Sequence, residues 1–270
     1  MITPAATSRC EREPERSISM ANQLTAALYK PVRGLVRLVY PKTKVVGAEK
    51  LPEGAAVVVG NHSQLHGPIA CELYFPGRHA TWCAGEMMSL KEVPGYAYRD
   101  FWSYKPKLQR PFFRLASYLI APLAVIIFNN ADCIGVYRDS RVISTFRRTA
   151  ECLKEGRRVI IFPEKAEPGE GFLYAFQEGF VDCARAYCRQ TGKSVSFVPL
   201  YVCPRFHTLY LGDPVPFDPK APIAEERQRI CREMSQAILA LARALPEHRV
   251  VPYLNLPKKD YPSSREGAGE

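Results

Sequence analysis

Apolar and polar positions recur along this chain on two periods, one helical and one extended. Over residues 20–40, Leu24, Leu28, Val32, Leu35, Val36 and Val39 share one face of a helical wheel, and Lys30, Arg33 and Arg37 fall on the opposite side. That spacing predicts an amphipathic helix, kinked or begun at Pro31, because proline lacks the amide donor and clashes with the preceding turn. Such a helix can lie in an anionic membrane surface, or pack on a core with a solvated basic face. Further on, short β-like runs alternate with helical ones. Ala55–Val59, His79–Ala84, Asp132–Tyr137, Arg158–Phe162, Val195–Val202 and His207–Leu211 read as strands. Val142–Glu155, closed by Gly156, Gln177–Gln190, stopped at Gly192, and Ala224–Ala244 read as helices. Leu115–Phe128 is a long uncharged apolar run. It is short for a membrane span and carries Pro122, so a buried or interfacial helix is expected there.

Alternating strands and helices predict an α/β fold: a mixed sheet flanked by helices in a single domain, which 270 residues can fill. The expected divisions are a disordered leader over 1–19, a membrane-facing helix over 20–43, the α/β domain over 44–256 and a polar tail over 257–270. Residues 1–17 are polar and charged, unlike a secretory signal.

Composition adds two constraints. Thirty-seven Lys and Arg against 27 Asp and Glu give a formal net charge of +10, which favours polyanionic partners such as nucleic acid, an anionic bilayer or phosphorylated substrates. The basic residues are scattered rather than gathered into a basic–aromatic track, so nucleic acid is not the expected partner. The nine cysteines include no CxxC pair, which predicts reduced thiols rather than a disulfide framework or a zinc site.

Ligands of open α/β sheets bind beyond the carboxyl ends of strands. Two predicted strand ends carry conspicuous residues: Asn61-His62 after AAVVV, and Pro163-Glu164 after RVIIF. His62 could act as a general base towards a hydroxyl, since histidine titrates near neutrality; a lone histidine there is more often structural. Arg138, in CIGVYRDS, could bind a phosphate bidentately or simply be solvated. Glu164 could orient Arg138 or a substrate hydroxyl.

Taken in order, NHSQLHGP, GVYRDS, IFPEK and FVPLYV resemble the four sequence blocks of the glycerol-phosphate and lysophosphatidate acyltransferases, from about Lys44 to about Leu211. GEMMSLKEVPGY and the Phe176-x-x-Gly179 element resemble smaller features of that family. The resemblance implies a glycerol-phosphate acyltransferase-like fold and an acyltransferase of phospholipid biosynthesis. His62 would take a proton from an acceptor hydroxyl, which then attacks an acyl thioester. Arg138, Glu164 and Lys165 would contact the acceptor's phosphate. The implied partners are a lysophospholipid or glycerol phosphate, acyl-CoA or acyl carrier protein as co-substrate, and an anionic membrane surface. No metal or bound cofactor is called for. The implied location is the cytoplasmic side of a membrane, peripheral or monotopic.

The chain departs from the family pattern where the family's first block has Asp, five residues after the histidine. Here that position is Gly67, with Pro68 keeping the register. In a serine protease triad, losing the orienting carboxylate costs about four powers of ten in turnover. Glu72, Glu86 and Asp100 are the alternatives the sequence offers for the missing acid, and His66 could relay a proton. Lys165 and Ala166 replace the Gly and Ser/Thr of the third block, and lysine forgoes the close backbone approach that glycine permits. Three functions are therefore open: an active acyltransferase with an altered site, an inactive relative binding lipid or a partner protein, and an unrelated basic α/β protein binding nucleic acid. The aromatic stretch Tyr96–Tyr104, with the apolar run after it, is expected to form either a hydrophobic lid or acyl-chain tunnel, or a core-packed insertion.

Overall fold

Apolar runs bounded by Gly and Pro set the element order. The computed structural model describes residues 12–103 and 105–266, with side chains from residue 25 onward, so Tyr104 and the side chain of Leu24 lie outside the described residues. The first elements are α1 (Arg12–Val39), β1 (Lys44–Val46), β2 (Ala56–Gly60), α2 (His66–Tyr74) and β3 (His79–Ala84). The short α3 (Val93–Ala97), a π turn over Tyr98–Trp102 and the long α4 (Arg110–Asn130) follow, then β4 (Cys133–Val136) and α5 (Val142–Lys154). After these come β5 (Arg158–Ile161), the hairpin β6 (Glu164–Pro168) and β7 (Tyr174–Phe176), and α6 (Asp182–Thr191). The last elements are β8 (Ser196–Cys203), β9 (Thr208–Leu211), β10 (Val215–Pro216) and α7 (Ile223–Arg243).

These residues fall into two compact units: the chain up to Tyr40 with Met87–Asn130, and Pro41–Glu86 with Ala131–Glu270. The second unit is built on an eight-stranded mixed sheet in the order β1-β9-β8-β2-β5-β3-β4, with β10 pairing β8. Strands β8, β2, β5, β3 and β4 run parallel; β9 is antiparallel to β8, and β1 is parallel to β9. The expected mixed sheet flanked by helices is therefore present.

Both faces of the central strands are dry, as parallel sheets require. Val57, Val59, Val159, Ile161 and Phe197 join a core with Leu153, Tyr187, Ile230, Met234 and Ile238 of the helices α5, α6 and α7. On the alternate positions Val58, Ile160, Val198 and Leu200 are also fully buried. Helix α5 is pinned to the sheet edge by two polar contacts: Thr145 Oγ1 donates to the Gly135 carbonyl at 2.6 Å, and Trp82 Nε1 donates to Thr149 Oγ1 at 2.9 Å. Gly192 ends α6 at φ +71°, its amide donating to the Cys188 carbonyl at 2.8 Å.

The first unit is helical. Helix α1 runs through Pro31 and begins at Arg12, eight residues ahead of the expected start at Met20; residues 1–11 of the expected leader lie outside the described residues. Helix α4 is longer than the apolar run that announced it and contains Pro122. It packs against α1 and α3.

The expected polar tail is partly structured. Arg249 and Ser263 form an antiparallel bridge, the Ser264 amide donates to the His248 carbonyl at 2.8 Å, and Ser264 is fully buried. Residues 267–270 lie outside the described residues.

Candidate functional site

Because β8, β2, β5, β3 and β4 are parallel, their carboxyl ends share one edge of the sheet. His62 follows β2, Glu164 opens β6 three residues past β5, and Arg138 follows β4. The second half of β8 belongs to the same edge, and Asn61 ties it to β2. The Val202 amide donates to Asn61 Oδ1 at 2.7 Å, and Asn61 Nδ2 donates to the Val202 carbonyl at 3.2 Å and to Ser63 Oγ at 2.9 Å. Asn61 is buried and holds two strand ends together.

The loop after Asn61 is strained. Ser63 and Gln64 both adopt left-handed backbone, φ 47° and 55°, which non-glycine residues enter only at a cost of order 1–3 kcal/mol. Side-chain bonds hold them there. Ser63 Oγ lies 3.4 Å from the Val202 carbonyl and 3.3 Å from that of Val251. Gln64 Nε2 donates to the Leu254 carbonyl at 3.3 Å and to Tyr261 Oη at 3.4 Å. The C-terminal segment thus straps the loop that carries His62.

His62 is fixed from three sides. Its backbone amide donates to Glu164 Oε2 at 2.6 Å. Its ring meets Phe162 edge-on at 5.3 Å between centroids and Tyr253 at 5.6 Å. Nδ1 is buried and lacks a hydrogen-bond partner. Burial lowers the ring's pKa below 6.5, and the backbone of Gln64 and of His62 itself offsets part of that effect. The imidazole is therefore neutral at pH 7, the protonation state a general base needs.

Glu164 is buried, and both its oxygens accept backbone amides: Oε2 from His62, and Oε1 from Tyr174 at 3.1 Å. Burial pushes its pKa up to about 7, against the lowering effect of those two amides. It clamps the backbone of the histidine loop to the hairpin rather than presenting its carboxylate outward. Pro163, also buried, accepts the Gln177 amide at 2.8 Å. Lys165 is ion-paired to Glu167 at 2.5 Å. Arg138 is exposed, and β4 stands three strands from β2, about 14 Å at ordinary strand spacing. The fold therefore brings His62 and Glu164 into contact and sets Arg138 along the same edge.

No carboxylate among the described residues hydrogen-bonds the His62 ring. His66 is half-buried on α2, beside His207. Asp100 pairs with Arg99 at 3.1 Å. At the missing-acid position, the Gly67 amide donates to the His62 carbonyl at 3.2 Å, so α2 starts tight against the loop. Sequence reading missed Phe162, Tyr174, Tyr253 and the strap. Phe162 ends an apolar run and reads as core; Tyr253 comes from the far end of the chain, where no local pattern announces it.

The fold and this edge define a mixed-sheet α/β protein with a neutral, aromatic-caged histidine at the carboxyl end of a central strand. No protein-family model matches the chain, and no curated relative matches it. Among solved structures, the chain is similar to the crystal structure of the 1-acyl-sn-glycerophosphate (LPA) acyltransferase PlsC from Thermotoga maritima. The two are 16% identical over 85% of this chain and 84% of that one, with a TM-score of 0.40. Likeness at that level says nothing about this chain's substrate.

Proposed function

We propose that this protein transfers a fatty acyl group from an acyl thioester, acyl-CoA or acyl carrier protein, to a hydroxyl of a lysophospholipid or glycerol phosphate at a membrane surface. The main support is the convergence of all four acyltransferase-like sequence blocks on one sheet, with His62 at the carboxyl edge between β8 and β5. Neutral His62 takes the acceptor hydroxyl's proton as the oxygen attacks the thioester carbonyl, and the thiol leaves with a proton. With no carboxylate on the ring, the imidazolium formed in that step lacks the usual charge partner, so turnover is slow. The Glu164 clamp and the aromatic cage supply the positioning that a carboxylate would otherwise give. Exposed Arg138 supplies a cation on the same edge for the acceptor's phosphate. The half-exposed apolar stripe of α1, with Leu28, Leu35 and Val39 turned outward, supports attachment to the cytoplasmic face of a membrane.

A second reading, a non-catalytic lipid- or partner-binding protein of the same fold, is favoured by the ring's apolar surroundings and by the absence of room for a side chain at Gly67. The two are separated by offering purified protein a panel of acyl-CoA and acyl-carrier donors. The acceptors are glycerol 3-phosphate and lysophospholipids in vesicles, with products read by mass spectrometry. An acylated glycerolipid supports the transferase. A folded protein that binds vesicles yet yields no product from any pair supports the second reading.

A further inference from the structure

Helix α4 is built the wrong way round for water. Its small side chains, Ser117, Ala121 and Ala124, lie within about 60° of one another on the helical wheel and are buried. The bulky side chains occupy the opposite side and face outward. Leu108, in the 3-10 turn just ahead of α4, is 93% exposed, Phe112 68%, Leu115 61%, Leu119 72% and Leu123 46%. A surface helix of a protein surrounded only by water shows the reverse arrangement. This stripe is about 22 Å long, and contiguous apolar surface of that extent marks an interaction site.

Charge decides what covers the stripe. The described side chains of this helical unit, residues 25–40 and 87–130, include nine Lys and Arg against two acids, Glu92 and Asp100. Lys107, Arg110 and Arg114 are exposed around the start of α4, and on the helical wheel Arg110 and Arg114 lie across the helix from the apolar stripe, where a helix in a membrane surface carries its cations. A second copy of this chain would bring the same sign to the rim. An anionic leaflet brings phosphates at headgroup depth and hydrocarbon just beneath.

We propose that the α4 face from Leu108 to Leu123 seats the protein in the plane of an anionic bilayer leaflet, with Lys107, Arg110 and Arg114 at the headgroup phosphates. The helix lies in the plane rather than across it. By length and composition Lys107–Asn130 is long and apolar enough to cross a membrane, but its charge-free part begins only after Arg114 and reaches Asn130 in about 24 Å, short of a hydrocarbon core about 30 Å thick. Ser117, Ala121 and Ala124 remain packed within the unit, which keeps one side of the helix out of lipid. This rests on the membrane-surface reading above and deepens it by naming a second element, beyond the α1 stripe, that meets the bilayer.

Flotation with phosphatidylcholine vesicles, with and without phosphatidylglycerol, tests the seat. The full-length protein should float with the mixed vesicles, less so as salt is raised, because the phosphate contacts are screened. The Leu115→Glu/Leu119→Glu double variant should bind at least about tenfold more weakly, since two large side chains no longer enter hydrocarbon. Its thermal transition should be unchanged, because both positions face outward. Ile143→Glu, another exposed apolar position on α5 in the sheet unit, should float like wild type. Flotation of the double variant equal to wild type would overturn the proposal. So would a wild-type dimer that the double variant dissolves while neither protein binds vesicles, because a second copy would then be the occupant. Flotation reads binding and not turnover, so the result stands whether or not acyl transfer is detected.

Discussion

A Cβ on Gly67 would lie 2.6 Å from the His62 carbonyl oxygen and 2.9 Å from Phe162 Cε1, closer than real Cβ atoms approach. The missing acid is therefore a matter of space as well as chemistry: the first turn of α2 has closed onto the histidine loop. Gly67→Asp should lower stability by about 1–3 kcal/mol, as overpacking of a tight site does, and should not raise acyl transfer. Denaturant melts and product assays check both halves, and a stable, faster variant would contradict the packing described. Glu164 gives a second prediction, in pH. Its folded pKa is raised from 4.5 to about 7, so its contribution is fully present below 4.5 and is lost as pH climbs through 7. The stability gap between wild type and Glu164→Gln should therefore shrink with rising pH, by up to about 3 kcal/mol between pH 4.5 and 8. The neighbouring His62 is common to both proteins and cancels. A gap that stayed flat or widened would mean the carboxylate is not buried as described. His62 itself is depressed by burial, so the acid limb of the pH–rate profile should have its midpoint below histidine's ordinary 6.5. A midpoint at or above 6.5 would rule out a buried neutral base.

Among the elements, the C-terminal strap has the most to test. Residues 247–264 bond to the strained loop through Val251, Leu254 and Tyr261 and set Tyr253 edge-on against His62. His248 anchors the segment from beneath, its Nε2 lying 2.7 Å from the buried Tyr201 hydroxyl. A chain ending at Leu245 should keep its sheet but release the loop, with amide exchange over 61–65 faster by at least about tenfold while β5 is unchanged. Equal protection in both chains would mean the strap is passive. Much of this architecture was legible in advance. Runs such as AAVVV and RVIIF, bounded by Gly and Pro, announce β2 and β5, and three- and four-residue spacing announces α5 and α7. Strand β1, three residues long, was not legible, because it is defined by pairing with β9 rather than by its own pattern. The strap was missed because its polar residues read as solvated when they in fact bond to a distant loop. The apolar run of α4 announced a helix but not its orientation. In a stretch apolar on every side, only packing reveals that the small residues turn inward.

For the molecule as a whole, the parallel arrangement of five strands makes residues far apart in sequence neighbours at one edge, and this is why His62 and Glu164 were legible as a pair of strand ends. Their mode of contact was not: the carboxylate meets the histidine's backbone and leaves its ring among Phe162 and Tyr253. Of the 37 Lys and Arg behind the formal net charge of +10, nine sit against two acids in the described part of the helical unit, a balance that suits the proposed anionic surface. The proposed chemistry turns on His62 as the base. Acyl transfer by His62→Ala, measured with the donor and acceptor that wild type uses best, with and without added imidazole, puts that role to the test. Product should be lost in the variant and partly restored by imidazole, which enters the space left between Phe162 and Tyr253. Product formed by His62→Ala at the wild-type rate would show that another group takes the proton.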